Sequence, residues 1–433
     1  MANSYLSSNT GTATNAKKFT YSVWLKRSKI SSEQRFYQGY KDGNNRAYAV
    51  FLSSDKLRVY NMTASNIELY WDSTRVFRDT SAWYHIVLSA DSTQAAQADR
   101  FKVYVNGVEE TDFTKNYNPG QNIDWGNQLA QTNGDLTISG TESQTQLFEG
   151  YMSHAAFVDG TALTPTSFGE TDSTSGIWKF KSPTGITWGN NGYHLKFENS
   201  AALGTDSSGQ SNTFAVNGNL KQALDTPSNN AATINPNSTG NFKQSSNPNL
   251  ASNGNTTLLE NGGQHKQAPT TLAVDTGKWY CELKATSGTH GFFGACSTSL
   301  SAKLGNNYSY PGNSTTGSGV SIRRDNGTKS IGGSESTYGG SAISNGDIVG
   351  IALDLTNQKI YFSKNGQWSN GSSWSSSTFD AAVGAISLPS GAGTSFEAFY
   401  QFSFSPYNSG CDINFGNGFF GTTAITSAGS NGN

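Results

Sequence analysis

The chain has 433 residues, enough for two or three domains of about 100–200 residues each. Its 29 Lys plus Arg against 31 Asp plus Glu leave a net charge of −2, which excludes a general basic field for nucleic acid or anionic lipid. Only 14% of residues are charged, while aromatics reach 12% and Gly counts 48; this excludes disorder and points to an all-β protein with long polar loops.

In chain order, Phe19, Tyr21, Val23 and Leu25 alternate with Thr20, Ser22 and Trp24, the period-two pattern of a half-buried strand. Tyr84 to Leu88 is apolar on both faces and suits the inside of a two-layer sandwich. Phe101 to Val105 runs into Asn106-Gly107, a strong hairpin signal because both turn residues tolerate positive φ. A further strand covers Leu147 to Val158, and Leu163 to Phe168 reads as one helical turn. Tyr193 to Phe197 is a strand of the first sandwich. Between 224 and 254 the composition shifts to Asn, Ser, Thr and Pro, and this stretch reads as a connector with few residues able to bury surface. Strands resume at Lys278 to Leu283, Gly291 to Ala295, Asp347 to Leu355, Lys359 to Ser363 and Asp412 to Phe415, with a second Asn-Gly turn at Asn365-Gly366. No 12-residue window shows a 3.6-residue period, so little helix is expected. The expected layout is two antiparallel β-sandwiches, 1–223 and 255–433, joined by the polar connector 224–254.

No apolar run approaches the ~18 residues of a membrane-spanning helix, and the first residues carry no basic and apolar leader pattern, so no secretory signal is expected. The three cysteines, Cys281, Cys296 and Cys411, are odd in number and form no Cys-x-x-Cys pair, so neither a disulfide framework nor a zinc site is expected.

Several segments resemble known families. Phe19 to Arg27, Trp83 to Leu88, Val103 to Gly107 and Phe148 to Ser153 before Asp159-Gly160 resemble the laminin-G-like, concanavalin A-type jelly roll. Lys278 to Glu282, Gly346 to Asp354, Tyr361 to Gly366 and Asn414 to Gly416 resemble a SPRY domain, also a β-sandwich. The series between them is similar to one in structural proteins of tailed bacteriophages, especially marine ones. It comprises Phe168 to Asp172, Tyr193 to Phe197, Leu203 to Gly209 and Asp225 to Asn230.

Concanavalin A-type folds also carry glucanases, which show a Glu-x-Asp-x-x-Glu pattern that this chain lacks. The nearest acidic cluster, Glu109-Glu110-Thr111-Asp112, follows a hairpin turn and reads as a solvated edge, so no catalytic residues are assigned. Gly416 to Gly421 spells a dinucleotide fingerprint, but no helix follows it, and it reads as a strand exit. The five histidines, His85, His154, His194, His265 and His290, read as satisfied structural residues rather than metal ligands. No cofactor is required; the laminin-G-like resemblance leaves calcium as one candidate, with Asp72, Asp79, Asp91 and Asp159 as loop-adjacent ligands. Arg323-Arg324 reads as a solvent-facing pair. Trp368 and Trp374 flank a Gly/Ser/Asn segment, and Tyr308 and Tyr310 sit in a similar one; such rings either stack on a ligand or fold back as caps on the sandwich edge. These four are the candidate ligand-binding residues.

The resemblances imply a phage virion surface protein of the tail, fibre or capsid exterior that adheres to a host-surface glycan or protein. A decoration or adaptor subunit bound to other virion proteins is the second expectation, and a glycan depolymerase the third. The expected chain is not an enzyme, binds no nucleic acid, does not insert into membrane and forms a homo-oligomer.

Overall fold

The period-two segments pair into antiparallel sheets throughout, as the sparse charge and abundant β-formers require. The structure is a computed structural model that describes residues 4–117, 119–125, 134–237, 251–263, 265–298, 310–313, 319–376, 383–389 and 399–427. Strands and two short 3-10 turns make up its described elements, so the all-β expectation holds. The chain divides into two units, Met1–Asn230 and Ala231–Asn433.

In the first unit, an eight-stranded sheet runs in the order Phe113–Tyr117, Asn66–Val76, Lys56–Thr63, Asn45–Phe51, Gln34–Asp42, Gly134–Ile138, Tyr5–Thr10, Ala215–Asn217. A six-stranded sheet runs Tyr193–Leu195, Gly150–Asp159, Lys18–Arg27, Tyr84–Asp91, Phe101–Val105, Val108–Glu109. Tyr21, Val23, Leu25, Ile86 and Leu88 from the second sheet meet Phe36, Ala49, Phe51, Leu57 and Trp71 from the first in one core. The Asn106-Gly107 turn forms as read, with φ of 50° and 81°. The expected helical turn is the 3-10 segment Pro165–Ser167.

One expectation is corrected. Lys18–Arg27 is not half-buried: Thr20, Ser22, Trp24 and Lys26, on the face away from the core, are buried too. The chain after residue 160 forms a third layer over that face. Thr20 Oγ1 donates to the Thr161 carbonyl at 2.8 Å and accepts from the Leu163 amide at 2.7 Å. A short hairpin of Gly169–Thr171 and Trp178–Phe180 lies over the Asn106-Gly107 turn, so close that a Cβ on Gly107 would sit 2.7 Å from the Trp178 ring. Further along, the Lys26 ammonium meets Asp225 at 2.7 Å, with both side chains fully buried, and Trp83 Nε1 donates to the other Asp225 oxygen at 3.0 Å. Burial draws the Lys26 pKa down, and the Asp225 charge opposes that shift.

The segment read as a connector therefore holds buried residues. Asp225 belongs to the covering layer of the first unit, and Ile234, fully buried, belongs to the core of the second.

The second unit pairs a nine-stranded sheet with a six-stranded one. The first runs Ala251–Ser252, Thr257–Glu260, Ser409–Asn414, Lys278–Ser287, Ile348–Asp354, Lys359–Lys364, Gln367–Ser369, Trp374–Ser376, with Ile386–Ser387 also paired to Lys359–Lys364. The second runs Ala268–Pro269, Tyr400–Tyr407, His290–Ser297, Gly319–Arg323, Lys329–Ile331, Ser334–Ser336. Cys281, Leu283, Phe293, Ile322, Ile351, Phe362, Phe404 and Ile413 fill the core between them. All three cysteines are free and buried.

A second correction concerns Arg323-Arg324. Adjacent strand residues take opposite faces, and Arg324 takes the inward one. It is fully buried, and its guanidinium donates to the Ile343 and Ser287 carbonyls and to Asn345 Oδ1. Arg323 instead bridges Asp325 and Glu335.

Candidate functional site

The strand Lys278–Ser287 carries two alternating sets of side chains. Cys281, Leu283 and Ala285 point to the core, which puts Tyr280 and Glu282 on the outer face of the nine-stranded sheet. Register extends this face sideways: Glu282 pairs with Gly350, Gly350 with Ser363 and Ser363 with Trp368. Glu282, Ser363 and Trp368 thus share one cross-strand row, floored in the middle by a glycine. The glycine leaves room there: a Cβ on Gly350 would lie 2.6 Å from the Tyr280 hydroxyl and 2.5 Å from Ser363 Oγ, so both side chains would have to move. Tyr280 leans across that gap toward Trp368.

The result is a pair of neighbouring rings on the outer face of the sheet. Tyr280 is 48% exposed and Trp368 half-buried, their centroids are 6.5 Å apart, and their planes are inclined by 51°. The Tyr280 hydroxyl donates to Glu282 Oε1 at 2.9 Å. Packing around the phenol, then the Glu282 charge, hold the Tyr280 pKa above its ordinary value, so the hydroxyl stays protonated. The arrangement offers the exposed Tyr280 ring and part of the Trp368 ring, with the phenol oriented by a Glu282 carboxylate that is only 7% exposed.

The sequence candidates separate in space. Trp368 is in this row. Trp374, although paired near it on the strand Trp374–Ser376, packs against the second core. Its ring lies on Gly339, where a Cβ would come within 2.1 Å, edge-on to Tyr338 at 6.0 Å, and its Nε1 donates to the Ser341 carbonyl at 3.2 Å. Tyr310 lies outside the strands, stacked flat on Phe292 of the six-stranded sheet at 3.6 Å with an interplanar angle of 6°. Tyr308 lies outside the described residues. Tyr280 and Glu282 are the additions. Their signal was the alternation Tyr280, Glu282, Lys284 against Cys281, Leu283, Ala285, which puts an aromatic on the polar parity of its strand.

On the first unit, the outer face of the six-stranded sheet is closed by the covering layer. His85 lies between Trp24, stacked at 4.6 Å, and Trp178 at 6.0 Å. Its Nδ1 accepts from Trp178 Nε1 at 2.9 Å, so the ring proton is on Nε2 and is donated to Ser22 Oγ at 2.9 Å. Burial pushes the His85 pKa down to about 3. Beside it, His154 stacks on Phe180 at 3.6 Å, and its Nδ1 lies 3.3 Å from His194 Nε2. Burial first, and neighbouring positive charge second, lower these two to about 3 and about 4.

The four aspartates offered for calcium do not converge. Asp72 is clamped by Arg58 at 2.7 Å, Asp91 by Lys18 at 3.0 Å, Asp159 accepts from the Thr14 and Asn191 amides, and Asp79 accepts from Ser81. Each sits in its own local turn or pair, and these residues do not fit a shared calcium ion. Among the described residues, no three His, Cys, Asp or Glu groups are placed to hold a metal ion. In the acidic cluster, Glu110 pairs with Arg75 at 2.8 Å, Glu109 with Lys102 at 3.6 Å, and Asp112 accepts from Thr74. Among the described residues, no helix is long and apolar enough to cross a membrane.

Residues 1–167 match the family model described as the concanavalin A-like lectin/glucanases superfamily, and residues 278–417 match that of the SPRY domain. Among solved structures, the chain is similar to the SPRY domain of human HERC1, at 14% identity over 37% of this chain and 89% of that one, with a TM-score of 0.26. It is also similar to a native heptameric SAP-like pentraxin from Limulus polyphemus, at 15% identity over 50% of this chain and 95% of that one, with a TM-score of 0.29. A third is domain 4 of AbnA, a GH43 extracellular arabinanase from Geobacillus stearothermophilus, solved in complex with arabinotriose; identity is 20% over 35% of this chain and 64% of that one, with a TM-score of 0.26. Comparison with the curated protein sequences found no match.

Proposed function

The chain carries a concanavalin A-like domain followed by a SPRY domain, and from that premise we propose that it is a non-enzymatic adhesion protein that binds a surface glycan. The observation that carries this reading is the ring pair of exposed Tyr280 and half-buried Trp368, with Glu282 behind it. A sugar ring has an apolar C–H face and an equatorial belt of hydroxyls. The aromatic faces take the first, and the Tyr280 hydroxyl, which donates to the buried Glu282, accepts from the second. The lectin side of the concanavalin A-like superfamily, which residues 1–167 match, agrees with a binding role for the chain, while the ring pair itself lies in the part that matches the SPRY domain. The bacteriophage-like series between residues 168 and 230 supports a virion surface as its location and a bacterial surface glycan as its target. A single shallow site binds weakly, so repetition of the subunit on the particle raises avidity.

The test is binding to a panel of bacterial surface glycans and to host cells, comparing the wild type with Tyr280→Ala and Trp368→Ala. Binding falls at least tenfold in each variant, with the melting temperature nearly unchanged. Retained binding in both variants removes this site from the reading. Binding to isolated virion proteins but to no glycan replaces it with a structural subunit.

A further inference from the structure

Lys26 is a buried amine held between a carboxylate and an amide. It stands on the covered face of the strand Lys18–Arg27, and its side chain has no exposure. Its Nζ lies 2.7 Å from Asp225 Oδ2 and donates to the side-chain carbonyl oxygen of Asn230 at 2.8 Å. One tight turn delivers both partners. Thr226 and Asn229 pair around Pro227-Ser228, which puts Asp225 and Asn230 opposite each other at the next positions out. Two aromatic rings wall the spot: Trp83 Nε1 donates to Asp225 Oδ1 at 3.0 Å, and the centre of the Tyr151 ring lies 5.6 Å from Nζ. Asn230 reaches in from the surface, and its Nδ2 donates to the Ser81 carbonyl at 2.8 Å, which keeps its carbonyl turned toward Lys26.

An amine, an amide and a base in one place are the components of an amide exchange. In water a lysine is a poor nucleophile because it is protonated. Here burial lowers the Lys26 pKa, against the pull of Asp225, and Asp225 is the base in contact with its protons. The carbon to be attacked is bonded to the oxygen that Lys26 already holds. Groups oriented in this way react as if at effective concentrations of up to about 10⁵–10⁸ M.

We propose that Lys26 and Asn230 join in a self-formed isopeptide bond, with Asp225 as the proton carrier. Asp225 takes a proton from the Lys26 ammonium, and the freed lone pair forms the Nζ–Cγ bond with Asn230. The Cγ–Nδ2 bond then breaks, and its electron pair leaves with the nitrogen. Two protons pass from Nζ through Asp225 to that nitrogen, which departs as ammonium; no oxidant or reductant takes part. The product replaces a buried cation by a neutral amide and so removes the desolvation cost of that charge. It also ties a central strand of the six-stranded sheet to residue 230, where the first unit ends. A pull along the chain then passes directly from residue 26 to residue 230, and the covering layer between them carries no load.

Peptide mapping of the full-length folded chain decides this. The wild type should yield a branched peptide that joins Lys26 to Asn230, lighter than its two parts by one ammonia, and should run faster than Asn230→Ala on a denaturing gel. Absence of a joined peptide overturns the proposal. Loss of ammonia without joining, the mark of a cyclic imide at Asn230, also overturns it, as does a Lys26–Asp225 link formed with loss of water. Asn230→Ala removes a surface side chain, so it should melt cooperatively and carry no joined peptide; a joined peptide in this variant overturns the assignment of Asn230. For the proton carrier, Asp225→Asn should lower the joined fraction in freshly synthesised chain by at least about tenfold. Trp83→Phe, which keeps a ring and drops the hydrogen bond that holds Asp225, is read in the same way should Asp225→Asn not fold. A joined fraction equal to the wild type overturns the role of Asp225.

Discussion

Trp368 and Trp374 sit six residues apart in one polar segment, yet their surroundings give them opposite roles. Trp374 is held by Gly339 below, Tyr338 at its edge and a hydrogen bond to Ser341, whereas Trp368 lies half-buried on the outer face beside Tyr280. Truncation costs follow lost contacts, so Trp374→Ala should destabilise the second unit by about 2–3 kcal/mol, somewhat under the ~3–5 kcal/mol typical of a fully buried Trp. Trp368→Ala should cost under about 1 kcal/mol, as for surface sites generally. Urea unfolding of the two variants checks this; equal costs would mean that Trp368 is a cap too. The sequence marked both rings as worth asking about. It did not separate them, because the separation depends on Gly339, which reaches Trp374 only through tertiary packing.

At the scale of elements, the hairpin of Gly169–Thr171 and Trp178–Phe180 rests on neutral histidines. Trp178 donates to His85, and Phe180 stacks on His154, which touches His194. The other charged groups facing this cluster are Lys196 and Asp206; Lys179 binds Asp172 within the hairpin itself. In the unfolded chain each histidine takes a proton near pH 6.5, whereas in the fold the three are lowered to about 3, 3 and 4. Between about pH 6.5 and 4 the unfolded state therefore holds more protons. The contribution is fully present above pH 6.5 and is lost as pH falls through that window, by up to about 1.4 kcal/mol per pH unit for each independent histidine. His154 and His194 share the effect as a coupled pair. Urea midpoints of the full chain at pH 7 and pH 5 should differ clearly, with amide exchange in Gly169–Phe180 rising as the pH drops. A flat profile across this window would sink the idea that the histidines pin the layer.

For the whole molecule, the division at Asn230 and Ala231 gives each unit its own core. Fragments 1–230 and 231–433 should each unfold cooperatively. A fragment 245–433 begins after Ile234, whose amide donates to the Asn255 carbonyl at 2.9 Å and whose side chain is fully buried. It should lose about 2–5 kcal/mol relative to 231–433, the cost of deleting a buried Ile. Calorimetry of the three fragments measures both effects. Identical stability of 231–433 and 245–433 would show that Ile234 contributes nothing to the second unit.

Sequence alone determined the class and the local frame. Alternation at Phe19 to Leu25 and at Lys278 to Leu283 specified strands, and Asn106-Gly107 and Asn365-Gly366 specified turns, because side-chain parity and positive φ are properties of neighbouring residues. What covers the second face of a strand is a long-range property. Thr20, Ser22 and Trp24 carry a polar-looking alternation, and only the return of residues 161 to 225 buries them. Glu282 and Trp368 are 86 positions apart and meet in one row solely through the register Glu282–Gly350–Ser363–Trp368. Composition and spacing report which side chains differ between the two faces of a strand. Which of those faces meets water, and which distant residue stands opposite, was decided by the packing of the sheets.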